Sequence, residues 1–237
     1  MIKAVLFDFG GTLYDYSCLA AAEAESLVEL ARQSGAQDDP HDILLAQRDA
    51  MRRVFREYLP KPYYLHRDLF RDAVIAMLEE LGAEARADQL EAYRHAQWRR
   101  HRRDFVLRDG VVNTLNELRR RKLHVGMVSN IDDDQLEHLL EVAGIAKLFD
   151  SIISSEQAQS CKPHPRIYEL GLQRAGCAAS EALFIGDTLR QDIAGANRVG
   201  LRSALIWHRE DRRPPSEGSQ PTHVIRSIPE ILNLLDE

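Results

Sequence analysis

The sequence predicts an α/β fold, in which a doubly wound, mainly parallel sheet carries an all-helical segment inserted after the first strand. Three observations support this prediction. Short runs rich in Val, Ile, Leu and Phe recur without polar alternation, which is typical of parallel strands covered on both faces. Helical patterns separate these runs, and such repetition builds a layered α/β sheet. One long stretch near the N-terminus shows only helical periodicity.

The predicted elements follow one another in a regular order. Strands are predicted at residues 4–9, 123–129, 151–155, 182–187 and 203–207, with a last short strand at 222–227. Helices are predicted at residues 112–121, 133–143, 165–175 and 191–199, and from residue 228 onward. Residues 211–221 are interpreted as a polar surface loop. Residues 16–107 are expected to form the helical insert, so that residues 1–15 and 108–237 form the core domain.

Composition excludes several classes of protein. The 237 residues are 44% hydrophobic and 29% charged, and no apolar run approaches a membrane span, which takes roughly 20 residues. The apolar run at the N-terminus is too short for a signal peptide, so a cytoplasmic location is expected. The net charge of −6 gives no basic field, and no nucleic-acid partner is expected. The three cysteines lack metal-ligand spacing.

Chemically useful side chains follow the predicted strands. Asp8 ends the first strand, Ser129 ends the second, and Asp187 ends a later one. Lys162 lies in a loop before a helix, and Asp192 follows in the next helical pattern. Taken singly, each has a structural explanation, such as a turn or helix cap, a solvated lysine, or an acidic residue favoured by a helix dipole. Together they point to the edge of the sheet where ligands bind in α/β folds.

The ordered set resembles the haloacid dehalogenase superfamily. The matching segments are DFGGTLYD at residues 8–15, VSN at 128–130, KPHPRIYE at 162–169 and IGDTLRQDIAGANRVG at 185–200. The resemblance covers the whole core and implies a Rossmann-like sheet. The helical insert between the first and second motifs is similar to that family's commonest cap domain, as in its phosphatase-like branch.

The resemblance implies catalytic roles that suit phosphoryl transfer. Asp8 is expected to act as a nucleophile, which splits hydrolysis into two steps through an aspartyl phosphate. Ser129 and Lys162 are expected to hold the transferring phosphate with a hydroxyl and a positive charge. Gly11, Thr12 and Asn130 are expected to bind or position it.

The cofactor implied is Mg²⁺, a hard cation that prefers oxygen ligands. Asp8 and Asp187 are suited to hold it, and the family pattern adds the backbone carbonyl of Gly10. Asp192 is expected to support the metal directly or through water. The expected substrate is a small phosphorylated metabolite.

Gly10 departs from the pattern of most phosphatases in this superfamily, which carry a second Asp there as general acid and base. Such catalysis typically contributes about 10² to 10⁴ in rate. The first interpretation is a phosphatase whose leaving group needs little protonation, or one that uses a water or a cap residue instead. A dehalogenase or phosphonate-cleaving enzyme is an alternative, as is a catalytically weak phosphate-binding or regulatory protein. The cap is expected to determine which substrate is chosen. The sequence does not decide whether the protein forms a homodimer.

Overall fold

The computed structural model describes residues 1–208, 214 and 217–235. Within these residues one parallel sheet has the strand order β3-β2-β1-β4-β5-β6. The strands are β1 (Ala4–Phe7), β2 (His124–Ser129), β3 (Ser151–Ser154), β4 (Ala182–Gly186), β5 (Arg202–Ile206) and β6 (His223–Ile225). The order reverses at β1, which pairs with β2 on one side and β4 on the other. The predicted doubly wound α/β fold is therefore confirmed.

Helices connect the strands and also form the long insert after β1. They are α1 (Ser17–Gln33), α2 (Pro40–Tyr58), α3 (His66–Glu80), α4 (Ala87–Asp104), α5 (Val111–Arg120), α6 (Asp133–Ala143), α7 (Ser155–Ala158), α8 (Pro165–Ala175) and α9 (Ala194–Arg198). Helix α8 shows why these bounds arise. It begins at Pro165, whose fixed φ suits a first helical turn, and it ends at Gly176, whose φ of 63° terminates the helix in the left-handed region.

Two helical predictions differ from the structure. The segment predicted as a helix at residues 191–199 is a π-helical turn, Leu189–Ile193, followed by the short helix α9. The backbone amides of Asp192 and Ile193 both donate to the carbonyl of Thr188 at 3.1 Å, which widens the turn by one residue. The terminal segment Ile228–Asn233 is a 3₁₀ helix. Of the predicted loop at 211–221, residues 211–213 and 215–216 lie outside the described residues.

The chain divides into two compact units. One consists of Met1–Asp15 and Val106–Glu237, and the other is Tyr16–Phe105. The second unit has its own apolar core, drawn from α1, α2 and α3, in which Leu30, Ile43 and Met77 are buried. No helix among the described residues is long and apolar enough to cross a membrane.

One apolar cluster of the first unit is built around fully buried residues of the sheet and of α8. Leu6 of β1 and Phe184 of β4 belong to this cluster, together with Tyr168 of α8. The ring of Tyr168 meets that of Phe184 edge to face, with centroids 5.1 Å apart. This packing fixes the carboxyl ends of β1, β2 and β4 side by side, and the loops that follow them carry the polar side chains described next.

Candidate active site

Asp8, the residue directly after β1, lies at the centre of a buried polar cluster. One of its carboxylate oxygens, Oδ1, accepts hydrogen bonds from Ser129 Oγ at 2.9 Å and from Lys162 Nζ at 2.6 Å. The other oxygen, Oδ2, accepts from Thr12 Oγ1 at 3.3 Å. All four side chains are buried. The neighbouring parallel strands β1 and β2 end at the same edge, which is why Asp8 and Ser129 meet across a long stretch of sequence.

Lys162 connects two of the acidic residues. Its Nζ atom lies 2.6 Å from Asp8 Oδ1 and 2.6 Å from Asp192 Oδ1. Asn130 holds the backbone at this position, because its amide nitrogen donates to the Lys162 carbonyl at 3.1 Å and its Oδ1 accepts from the Lys162 amide at 2.7 Å. In this structure Asn130 therefore anchors the Lys162 loop.

Asp192 is carried by the π-helical turn. Its second oxygen, Oδ2, accepts hydrogen bonds from the backbone amide of Thr188 at 2.9 Å and from its hydroxyl at 2.6 Å. The hydroxyl of Tyr168 donates to the carbonyl of Gln191 at 2.6 Å, which ties the turn to α8. A side chain at Gly186 would collide with Asp192, because a Cβ atom there would lie 2.3 Å from the Asp192 Cβ.

Gly11 brings the loop after Asp8 against the carboxylate of Asp187. Its φ of 79° is in the left-handed region, and a Cβ atom at this position would lie 2.3 Å from Asp187 Oδ2. Only glycine fits both the conformation and the close approach. Gly10 is also buried, and its backbone lies outside the left-handed region.

Burial raises the pKa of two carboxyl groups in this cluster, those of Asp8 and Asp187, and neighbouring negative charges add to the shift. Burial, followed by the charges of Asp8 and Asp192, raises the pKa of Asp187 to about 8. Burial also raises the pKa of Asp8; the charge of Lys162 opposes this shift and that of Asp192 adds to it. Burial acts to lower the pKa of Lys162, but the charges of Asp192 and Asp8 outweigh it and raise that pKa.

The donor set fits a divalent cation. Asp8, Asp187 and Asp192 each offer a carboxylate oxygen, and these atoms lie within 4.8 Å of one another. Three carboxylates against a single lysine leave an excess of negative charge in a largely buried place, which a divalent cation would offset. Hard oxygen ligands of this kind suit Mg²⁺. Both oxygens of Asp192 already accept hydrogen bonds from Lys162 and Thr188, so Asp187 is the carboxylate more available to a metal.

Sequence reasoning assigned no role to three residues that shape this site. Thr188 directly follows Asp187 and stands four residues before Asp192, a spacing at which a hydroxyl caps a helical turn. Tyr168 belongs to the segment KPHPRIYE, but its contact with the π-helical turn depends on distant packing. Arg108, which follows the helical insert in the sequence, donates to the carbonyl of Gly11. No local pattern indicates that contact.

The site combines a buried carboxylate, a lysine that contacts it and a cluster of acidic side chains that could hold a metal. These groups lie at the strand ends of a doubly wound sheet, an arrangement that defines a class of α/β hydrolases. The family model for haloacid dehalogenase-like hydrolases matches residues 2–200. The chain belongs to this family, as the sequence motifs predicted, and is an enzyme of the hydrolase class.

Two relatives of this chain are named as phosphatases. The chain is 30% identical to a ribulose-1,5-bisphosphate 5-phosphatase of Halopiger xanaduensis, over 94% of this chain and 89% of the relative. It is also 30% identical to a glyceraldehyde 3-phosphate phosphatase of Methanopyrus kandleri, over 100% of this chain and 98% of the relative.

Solved structures share the fold. The HAD-hydrolase YfnB from Bacillus subtilis, bound to magnesium, superposes with a TM-score of 0.79 at 24% identity, covering 100% of this chain and 99% of that one. The L-2-haloacid dehalogenase from Xanthobacter autotrophicus superposes with a TM-score of 0.77 at 24% identity, with the same coverage.

Proposed function

We propose that this hydrolase is a magnesium-dependent phosphatase that removes phosphate from a small phosphorylated metabolite. The observation that carries the proposal is the contact of Asp8 with Lys162 beside Asp187 and Asp192. A carboxylate nucleophile, a cation that faces it and an acidic pair suited to a metal are the groups that phosphoryl transfer requires. The phosphatase relatives, similar over nearly their whole length, support the same reaction class.

In the proposed reaction a carboxylate oxygen of Asp8 attacks the phosphorus atom. The bond from phosphorus to the leaving oxygen breaks, and that oxygen departs with the electron pair. Water then attacks the phosphorus of the aspartyl phosphate, which releases inorganic phosphate and restores the carboxylate. Lys162 and Ser129 donate to Asp8, and in this proposal they also donate to the phosphate oxygens as charge moves onto them.

The residues proposed to hold Mg²⁺ are Asp8, Asp187 and the backbone carbonyl of Gly10, with Asp192 supporting them. When bound, the ion supplies positive charge that reduces the repulsion between the nucleophile and the phosphate. Thr12 positions the second oxygen of Asp8 through its hydrogen bond. Asn130 acts through the Lys162 loop and does not itself hold the phosphate in this proposal.

Gly10 narrows the choice of substrate. Because it carries no carboxyl group, the leaving group is expected to need little protonation, as in acyl, aryl or anomeric sugar phosphates. The helical unit Tyr16–Phe105 is proposed to serve as the cap that selects among such metabolites. Dehalogenation of a haloacid would need no metal, so the acidic cluster favours phosphate hydrolysis over dehalogenation.

The test is an assay of phosphate release from p-nitrophenyl phosphate and a panel of phosphorylated metabolites, with Mg²⁺ and with EDTA. Asp8→Asn is expected to abolish turnover, whereas Asp109→Asn, which changes an exposed carboxylate, should leave it unchanged. Turnover that requires both Mg²⁺ and Asp8 supports the proposal. Folded protein that releases no phosphate from any compound, but releases halide from 2-haloacids without metal, would replace it with the dehalogenase alternative.

A further inference from the structure

Arg108 fastens the loop that follows Asp8. Its guanidinium donates two hydrogen bonds to the carbonyl oxygen of Gly11, from Nη2 at 2.9 Å and from Nε at 3.2 Å. Nη2 also donates to Asp15 Oδ2 at 2.8 Å, and the Arg108 side chain is only 18% exposed. The backbone amide of Arg108 donates to the carbonyl of Leu13 at 2.9 Å. One residue therefore holds both the middle and the end of this loop.

The first half of the loop benefits from such a contact, because Gly10 and Gly11 carry no side chains that could hold it. Gly10 and Gly11 are adjacent, and glycine loses more conformational freedom on folding than any other residue. The backbone at Gly11 must nevertheless stay in van der Waals range of the Asp187 carboxylate, as the space for a Cβ atom is already filled by Asp187. Arg108 holds the peptide group that directly follows this close approach.

We propose that Arg108 is a positioning residue that fixes the Gly10–Gly11 backbone beside Asp187 and thereby sets the affinity for the divalent cation. The inference rests on the proposed function, since it concerns the metal site named there. Asp15 has a matching role, because its carboxylate orients the Arg108 guanidinium. This contact gives Asp15 a structural role. It does not make Asp15 a replacement for the general acid and base that is absent at Gly10.

The experiment measures Mn²⁺ binding and backbone protection in Arg108→Gln and Arg108→Lys. Free Mn²⁺ is followed by its electron paramagnetic resonance signal, and hydrogen exchange is followed in peptides that cover residues 9–15 of the metal-free protein. Outer groups that orient metal ligands typically change metal affinity by 10–100-fold, so Arg108→Gln is expected to bind Mn²⁺ about 10-fold more weakly. It should also exchange faster at residues 9–15. Arg108→Lys, which keeps a donor and the charge, should recover part of both.

Arg119→Gln is the matched control. Arg119 also donates to a backbone carbonyl in the same unit, that of Lys147 at 2.8 Å, but from α5 and away from Asp8. Its loss should leave Mn²⁺ affinity and exchange at residues 9–15 unchanged. Equal Mn²⁺ affinity in wild type and Arg108→Gln would overturn the inference while leaving the metal site in place. Failure of the wild-type protein to bind Mn²⁺ would instead overturn the metal site and, with it, the role given to Arg108.

Discussion

Lys162 Nζ lies 2.6 Å from Asp8 Oδ1, and both side chains are buried. The contact joins a loop that precedes α8 to the first residue after β1. Because the same ammonium group also contacts Asp192, it offsets part of the negative charge that burial would otherwise make costly. The stability of the site and its chemistry therefore depend on one cation.

Lys162→Met should destabilise the metal-free protein in a pH-dependent way. Removing one partner of a buried ion pair typically lowers the free energy of unfolding at neutral pH by about 3–5 kcal/mol. The pKa of Asp8 is already raised and would rise further, so the carboxyl is protonated in the folded state at lower pH and the cost shrinks. Urea denaturation in EDTA should show a larger deficit at pH 8 than at pH 5. Lys147→Met, an exposed change, is the control; an equal deficit at both pH values would contradict the prediction.

Asp187→Asn should make the metal-free protein more stable at pH 8. The pKa of Asp187 is about 8 in the folded protein against an ordinary value of 3.8. The folded state thus binds the extra proton between these values, and its stability falls as pH rises through them. The neutral amide of the variant removes that loss. At pH 8 its free energy of unfolding is therefore expected to exceed that of the wild type by more than about 1 kcal/mol, the equivalent of one pKa unit. Urea denaturation in EDTA at pH 5 and pH 8 measures it. If the free energies of unfolding of wild type and variant changed in parallel with pH, the raised pKa of Asp187 would be contradicted.

Gly11→Ala should abolish activity for a reason that goes beyond backbone strain. Both Gly11 and Gly144 have positive φ angles, so alanine at either costs roughly 1–2 kcal/mol. Only at Gly11 does the new methyl group collide with Asp187; at Gly144 nothing lies within 4 Å. Thermal denaturation should therefore show a loss of stability in both variants, while phosphate release with Mg²⁺ should fall only in Gly11→Ala. A Gly144→Ala protein that loses activity equally would refute this account.

Gly10→Asp should extend the proposed phosphatase to less reactive substrates. The backbone of Gly10 lies outside the left-handed region, so a side chain there would not incur that backbone strain. A carboxyl at this position would supply the missing proton transfer, which typically contributes about 10² to 10⁴ in rate for a leaving group that needs protonation. The measurement is the ratio of kcat/KM for an alkyl phosphate to that for p-nitrophenyl phosphate, which should rise. A uniform change in both rates would show that proton transfer is not what the variant alters.

The fold could be predicted from the sequence because short apolar strands and the helices between them leave periodic patterns. The residues that end β1, β2 and β4 could be placed near one another because parallel strands share an edge. The π-helical turn at Leu189–Ile193 could not be foreseen, since its width depends on Thr188 and on a hydroxyl from Tyr168. The hydrogen bonds of Asn130 to Lys162 and of Arg108 to Gly11 could not be foreseen either, because they join residues that are far apart in the chain.

The position of β1 in the sheet has a consequence for biosynthesis. This strand is translated before both of its partners, which begin at His124 and Ala182, and the whole helical unit is translated in between. The unit Tyr16–Phe105 has its own apolar core and can collapse while β1 still lacks neighbours. A nascent chain that ends before β2 must therefore carry β1 as an apolar strand with neither of its neighbours. Such an edge is a natural target for chaperones and the segment most exposed to aggregation during synthesis.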